Sequence, residues 1–267
     1  MSKFKIMLDA GHYGDRNKSP VVPEYSEAQQ MWKLHKLLGA KLEAYGAEVG
    51  YTRKEQDKDL LVNDRGKLAK GYDMLLSEHS NAPADAGNEK VNHISVYESW
   101  DNWRGENVLA SRLAAATGEV MGIKDRYVKT KKSDSGNRDY FGIFKGARSV
   151  GCPIYLLIEN GFHTNKKTAE WLLKDENLDK LATAQAAVIA AYFGLIRDVG
   201  DINGDGKVDA KDYALLKRAV LGSLKLEPVE ERAADVNGDG KVDAKDYTLL
   251  KRVVLGTLPK DTLKPKE

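Results

Sequence analysis

Hydrophobic positions in this chain alternate between short saturated runs and longer periodic stretches, which predicts strands and helices in succession. Phe4–Leu8, Met74–Leu76 and Pro153–Ile158 are apolar runs bounded by Gly, Asp, Ser, Asn or Glu, the pattern of strands buried in a sheet. Met31, Leu34, Leu38 and Leu42 recur at helical spacing as far as Gly46, so a long amphipathic helix is expected there. Just ahead of it, Ser26-Glu27-Ala28-Gln29 has the form of a capping box, with Ser at the N-cap and Gln at N3. His35 lies mid-helix among polar neighbours and is expected on the surface. Leu178–Phe193 reads as another helix, stopped by Gly194.

Each strand ends on a residue with chemistry. Asp9-Ala10-Gly11-His12 follows the first run, Ser77-Glu78-His79-Ser80-Asn81 the second, and Glu159 the third. In open α/β sheets ligands bind beyond the carboxyl ends of strands, so His12, His79 and Glu159 are expected along one sheet edge. Glu27 falls in the first helical turn, where the helix dipole keeps a carboxylate ionised. Two neutral imidazoles and one carboxylate form a catalytic zinc set with a fourth position left for water. Glu159 would then be the base, because zinc lowers the pKa of its water towards about 7. His93 and His163 fall near this edge and are read as packed or solvated residues, with a substrate contact as the alternative, while Arg53 and Asn81 are supporting or structural residues. The single Cys152 precedes the third strand and is read as a small core residue, not a nucleophile.

The C-terminal part is a repeat. Asp201-Ile-Asn-Gly-Asp-Gly-Lys-Val-Asp-Ala-Lys-Asp212 recurs as Asp235-Val-Asn-Gly-Asp-Gly-Lys-Val-Asp-Ala-Lys-Asp246. Oxygen ligands at alternating positions with Gly in the sixth match a calcium loop. The expected ligands are Asp201, Asn203, Asp205, Lys207 (by its carbonyl), Asp209 and Asp212, then Asp235, Asn237, Asp239, Lys241 (by its carbonyl), Asp243 and Asp246. Asp212 and Asp246 stand where such loops usually carry a bidentate Glu. Each loop leads into a predicted helix, Tyr213–Leu221 and Tyr247–Leu255, closed by Gly222 and Gly256. Leu216, Val220, Leu250 and Val254 are the expected core of this part.

Length then suggests one large and one small domain in 267 residues: a catalytic domain over 1–197, a calcium-loop domain over 198–260, and a disordered tail over 261–267. Only Gly194–Gly200 separates the last helix of the first part from Asp201, so limited freedom between the domains is expected. A net charge of +2 is too small for a nucleic-acid binder. No apolar stretch approaches the ~20 residues of a membrane span. The first strand begins almost at once, without the basic segment and apolar core of a signal peptide; phage-type release, or a trimmed leader, is the expectation.

From about Lys3 to Phe193 the chain resembles the zinc-dependent N-acetylmuramoyl-L-alanine amidases of the amidase-3 type, including phage endolysins. The resemblance rests on DAGH, the Glu opening the first long helix, GAEVGYTR, SEHSN and LLIENGF. It implies a mixed, mostly parallel sheet flanked by helices, zinc on His12, Glu27 and His79, and Glu159 as the catalytic carboxylate. It also implies action at the bacterial cell wall, on the peptidoglycan amide between N-acetylmuramic acid and L-alanine. Glu24 rivals Glu27, but the distance to Gly46 and Thr52-Arg53 selects Glu27. Two departures bear on substrate fit: YGDRNKSPVV replaces a Gly-rich run after DAGH, and Asn160 stands where Thr is frequent. Asp201–Leu258 resembles a dockerin, which implies a small all-α paired EF-hand-like domain with two structural calcium ions. By that resemblance Ala210-Lys211, Lys217-Arg218, Ala244-Lys245 and Lys251-Arg252 meet a cohesin-like partner or mediate self-association. A docking component with wall hydrolysis secondary is the alternative reading.

Overall fold

Six strands realise the apolar runs and their connections: β1 (Lys5–Ala10), β2 (Glu48–Tyr51), β3 (Met74–Asn81), β4 (Ile94–Glu98), β5 (Arg126–Thr130) and β6 (Ile154–Phe162). In the computed structural model, which describes residues 3–85, 88–102, 107–134, 136 and 138–264, they form one sheet in the order β2-β1-β3-β6-β4-β5. The first four strands in that order are parallel; β4 runs antiparallel to β6, and β5 follows β4. The sheet is therefore mixed and mostly parallel, as expected. β1, β3 and β6 extend past their apolar runs to include Asp9, His79 and Glu159, so two of the site residues sit on rigid strand ends and not on loops.

Helices α1 (Glu27–Ala44), α2 (Val62–Lys67), α3 (Asn107–Met121), α4 (Gly142–Ser149), α5 (Lys166–Leu172) and α6 (Asp175–Tyr192) complete the first of two units, Met1–Glu43 with Ala47–Tyr192. Met7, Leu75, Tyr155 and Leu157 on one sheet face pack with Ile143, Phe144 and Ala147 of α4 and with Ala69. Cys152 belongs to the same cluster, and burial pushes its thiol up to about 12. Met31, Leu34, Leu38 and Leu42 of α1 are fully buried, each worth about 1.5–3 kcal/mol relative to exposure.

Two local expectations on α1 fail. His35 is buried, 1% exposed, because it lies four residues after Met31 and three before Leu38, in phase with the apolar stripe. Its Nδ1 donates to the Trp32 carbonyl at 2.5 Å, and its ring packs between Trp32 and Tyr51. The capping box is also absent. Ser26 Oγ donates to the Arg16 carbonyl (3.1 Å) and Gln29 reaches Asp15. The first amides of α1, Glu27 and Ala28, donate to the carbonyls of Asn17 and Arg16 instead, so the segment after DAGH caps the helix.

Burial lowers the His35 pKa to about 4, while an unfolded-chain imidazole titrates near 6.5. Between those values the unfolded state binds the extra proton, so stability falls as pH drops through that window. The expected loss is roughly 3 kcal/mol between pH 7 and pH 4. Urea unfolding of the wild type and of His35→Gln at the two pH values measures it; equal losses in both proteins would remove His35 as the cause.

The second unit comprises Phe193–Glu267 with Ala44–Gly46. It contains α7 (Ala210–Val220), α8 (Pro228–Ala234), α9 (Ala244–Val254) and a 3-10 turn at Lys260–Thr262. Both repeat helices start three residues earlier than predicted. Asp209 and Asp243 are N-caps in capping boxes with Asp212 and Asp246, so the end of each loop is already helical. Leu216 and Leu250 are fully buried, with Ile202, Val236, Ala233 and Ala234, while Val220 and Val254 pack partly buried around them. The expected disordered tail is ordered as far as Lys264. Leu263 is buried in this core, and the Lys264 amide donates to the Val236 carbonyl at 2.9 Å; residues 265–267 lie outside the described residues. No helix among the described residues is long and apolar enough to cross a membrane.

Candidate metal centre

The site is built on Asp9, which is buried and faces inward. Its carboxylate accepts from Thr52 Oγ1 (2.5 Å) and Ser77 Oγ (2.7 Å), with the Arg65 guanidinium at 3.6 Å. Arg53 and Arg65 both donate to the Ala10 carbonyl, at 2.8 and 3.3 Å, so Arg53 supports the turn that follows. At Gly11 the backbone passes so near His79 that a Cβ would lie 2.5 Å from the ring. His12 then takes φ 56°, a left-handed conformation that costs a non-glycine residue about 1–3 kcal/mol. The surrounding hydrogen bonds hold it there.

Glu27 faces the same point from the start of α1, 1% exposed, whereas Glu24 lies exposed. Glu27 Oε1 accepts from His79 Nδ1 (2.8 Å) and from the Ser80 amide (3.1 Å). Its Oε2 lies 3.5 Å from His12 Nε2. Asn17 Nδ2 donates to both of those atoms at 2.9 Å. The ligand atoms of His12, Glu27 and His79 lie within 4.8 Å of one another. Donors about 2.0–2.2 Å from a tetrahedral metal stand roughly 3.4 Å apart, so these three fit such an ion.

Charge points the same way. Burial alone would raise the Glu27 carboxyl, but the His79 hydrogen bond and the His79 and His12 charges hold it well below the usual range. Burial lowers the His79 imidazole, and Glu27 more than offsets this, raising it to about 9. A proton on His79 and the Asn17 amide thus fill positions that favour a cation. Burial keeps His12 below its ordinary value, as a neutral ligand must be.

Glu159 stands directly opposite His79 in the β3–β6 register. Its Oε2 is buried with no hydrogen-bond partner among the described residues. Burial raises its carboxyl to about 8, with the His79 charge opposing and the Glu27 charge adding. Immediately beyond it the register slips by one residue, from His79↔Glu159 to Asn81↔Phe162, and Gly161 takes φ 73°. Bulges of this kind re-aim side chains beside active sites. Asn160 is buried and donates to Glu78 Oε2 (2.7 Å) and the His79 carbonyl (3.0 Å), while accepting from Gln185 (3.0 Å). The Asn-for-Thr departure therefore concerns packing beneath the site.

His163 is buried. Its Nδ1 lies 3.0 Å from Ser80 Oγ and 3.9 Å from Glu27 Oε2, and its ring stacks on Tyr25, whose hydroxyl donates to Ser80 Oγ. This wall of Tyr25, Ser80 and His163, like Asn17, is not evident from the sequence reading. His163 alone carried a signal, being the first residue past β6. Asn81 accepts the His163 amide through its carbonyl (2.9 Å) and has a structural role.

In the second unit, Asp201 accepts from the amides of Gly204, Asp205 and Gly206, and Asp212 from those of Asn203 and Asp209. Asp235 and Asp246 repeat both patterns. The carboxylates of either loop do not gather as closely as the His-Glu-His group among the described residues, and Asp205 pairs with Lys211 at 3.0 Å.

A mixed sheet that gathers two imidazoles and a buried carboxylate, with a further carboxylate at the same edge, offers the groups that metal-assisted hydrolysis uses. The chain belongs to the N-acetylmuramoyl-L-alanine amidase family, which matches residues 6–191 and places it among the peptidoglycan amidases. Residues 199–255 match the dockerin type I domain. Among solved structures it is similar to Cwp6 from Clostridium difficile (22% identity, TM-score 0.63, 71% of this chain covered but 29% of that one). It is also similar to an N-acetylmuramoyl-L-alanine amidase from Clostridium difficile 630 (21% identity, TM-score 0.61, covering 72% and 97%). AmiC2 of Nostoc punctiforme is a further neighbour (21% identity, TM-score 0.59, covering 72% and 98%). At these identities the likeness is one of fold. The search of curated proteins found no match.

Proposed function

We propose that this chain is a zinc-dependent amidase acting at the bacterial cell wall, with residues 1–197 as its catalytic domain. The observation that carries this is the convergence of His12, Glu27 and His79 beside the unpartnered Glu159. Zinc, when bound, lowers the pKa of water and polarises a carbonyl. His12, Glu27 and His79 would hold the ion, in place of the hydrogen bonds that Asn17 makes to His12 Nε2 and Glu27 Oε2. Glu159 takes a proton from the attacking water and returns it to the amine of L-alanine as the amide breaks. Arg53, Arg65 and Asp9 keep the His12 turn in place throughout.

Mass spectrometry of purified peptidoglycan after digestion tests the reaction. The expected products are stem peptides with a free L-alanine amine and glycan with free lactyl carboxylates; intact stems on shortened glycan would refute it. His79→Ala is expected to bind less than a tenth of the zinc held by the wild type, measured by atomic emission. Stoichiometric zinc in that variant would remove His79 as a ligand.

The dockerin match supports a second role for residues 198–260, with two calcium ions held by the loops of Asp201–Asp212 and Asp235–Asp246. A cohesin-like domain is its partner by that match, and Lys211, Lys217, Arg218, Lys245, Lys251 and Arg252 are all exposed for it. The domain would deliver the amidase to its wall; it does not replace the reaction.

A further inference from the structure

Beyond Glu159 the sheet continues through β4 to the edge strand β5. His79 is opposite Glu159, Glu159 opposite Ser95, and Ser95 opposite Tyr127, so these four form one row on one face. Lys129 lies two residues from Tyr127 and shares that face. Its side chain turns back past the Tyr127 ring, 5.1 Å away, and Nζ donates to His93 Nε2 at 3.0 Å. The ammonium is thereby brought towards the edge that carries His79 and Glu159, away from the edge at which β5 ends.

Among the described residues some lysines of this chain are ion-paired and others, such as the half-buried Lys36 against the Trp32 and Tyr51 rings, are not. Lys5, Lys33, Lys41, Lys58 and Lys67 each have a carboxylate oxygen within 2.9 Å. Lys129 has no such ion pair among the described residues, although it is half-buried; the carboxylate whose charge acts on it is that of Glu159. Its hydrogen-bond partner does not neutralise it: burial and the Lys129 charge both lower the His93 pKa, leaving that imidazole neutral. His93 is fixed in turn against Phe162 and Tyr127, with ring centroids 4.6 and 5.0 Å away. An ammonium has three donors, and His93 uses one. Two remain, on a cation oriented by a neutral acceptor and walled by aromatic rings, which is the chemistry of a carboxylate receptor.

Spacing sets what reaches it. Neighbouring strands are about 4.8 Å apart, so β5 lies roughly 10 Å across the sheet from β6. An extended peptide covers that distance in about three residues. We propose that Lys129 binds a free carboxylate of the substrate's peptide stem, two to three residues beyond the amide that is cut. This rests on the reading of Glu159 as the base, which fixes where the scissile amide lies. Lys129 is thus a specificity-determining residue that separates stems with a free carboxylate from stems with a carboxamide there.

The test uses the full chain and N-acetylmuramoyl tripeptides with either a free carboxylate or a carboxamide at the second or the third residue. Binding is measured by calorimetry in a Glu159→Gln background, so that the peptide is not consumed. A carboxylate at one of the two positions is expected to tighten binding about tenfold when Lys129 is present. The difference should vanish in Lys129→Met and largely return in Lys129→Arg. In the active enzyme, at a pH where Glu159 is fully ionised, Lys129→Met should raise KM by a similar factor on the carboxylate substrate and leave KM on the carboxamide substrate unchanged. Equal discrimination with and without Lys129, or a loss confined to kcat, would overturn the proposal. A wild type that discriminates through Lys129 but does not cut would refute the hydrolytic reading alone. One that cuts but does not discriminate would refute this inference alone.

Discussion

Glu159→Gln should leave the fold and the bound zinc intact and cost about 10²–10⁴-fold in amide hydrolysis, the range typical of a lost general base. The side chains are nearly isosteric, and Glu159 Oε2 gives up no hydrogen bond in the exchange. What is lost is the ability to accept a proton. A base must be ionised to act, so the wild-type rate falls as pH drops through the pKa of Glu159. Burial raises that carboxyl to about 8, and a cation held by the neighbouring ligands pulls it down. An acid limb starting below pH 8 is therefore expected in the wild type and not in the variant. Comparing pH–rate profiles and zinc contents decides the matter; near-normal turnover by the zinc-loaded variant would exclude Glu159 as the base.

Removing calcium should unfold the second unit while catalysis in the first persists. Each loop carries four aspartates, and burial together with the Asp235 and Asp243 charges raises the Asp246 carboxyl in the absence of a cation. A domain of this size holds only a few kcal/mol of its own. A ligand at a thousand times its Kd contributes about 4 kcal/mol per site, so two calcium ions can decide whether the domain is folded. In calorimetry of the full chain, a calcium-selective chelator should abolish one transition, with calcium but not magnesium restoring it. A transition that survives chelation would mean that the loops are not structural calcium sites.

Much of the site is legible in the sequence because strand ends are. DAGH, SEHSN and LLIENGF each join an apolar run to a candidate site residue, and a sheet edge brings such ends together whatever the intervening loops do. The same logic fails for groups set by packing between elements. His35 carries a polar name on an apolar stripe, and its burial follows from phase with Met31 and Leu38, which its neighbours in sequence obscure. Ser26 and Gln29 match a local capping rule, but the carbonyls of Arg16 and Asn17 reach the helix first. Asn17 and Lys129 carry no local signal: one arrives through an irregular loop, the other through the lateral register of an edge strand. Leu263 joins its core from a segment too polar to suggest it.

The reversed direction of β4 and β5 has a consequence for how such an enzyme diversifies. The reaction edge receives the segments that leave β1, β3 and β6 and those that enter β4 and β5, whereas the exits of β4 and β5 open on the opposite edge. Insertions of the first kind lie next to the proposed site; insertions of the second kind lie at the opposite end of the strands. Changes in the β3–β4 and α3–β5 connections therefore fall beside the candidate site, while changes in the segments that leave β4 and β5 fall at the far edge of the sheet.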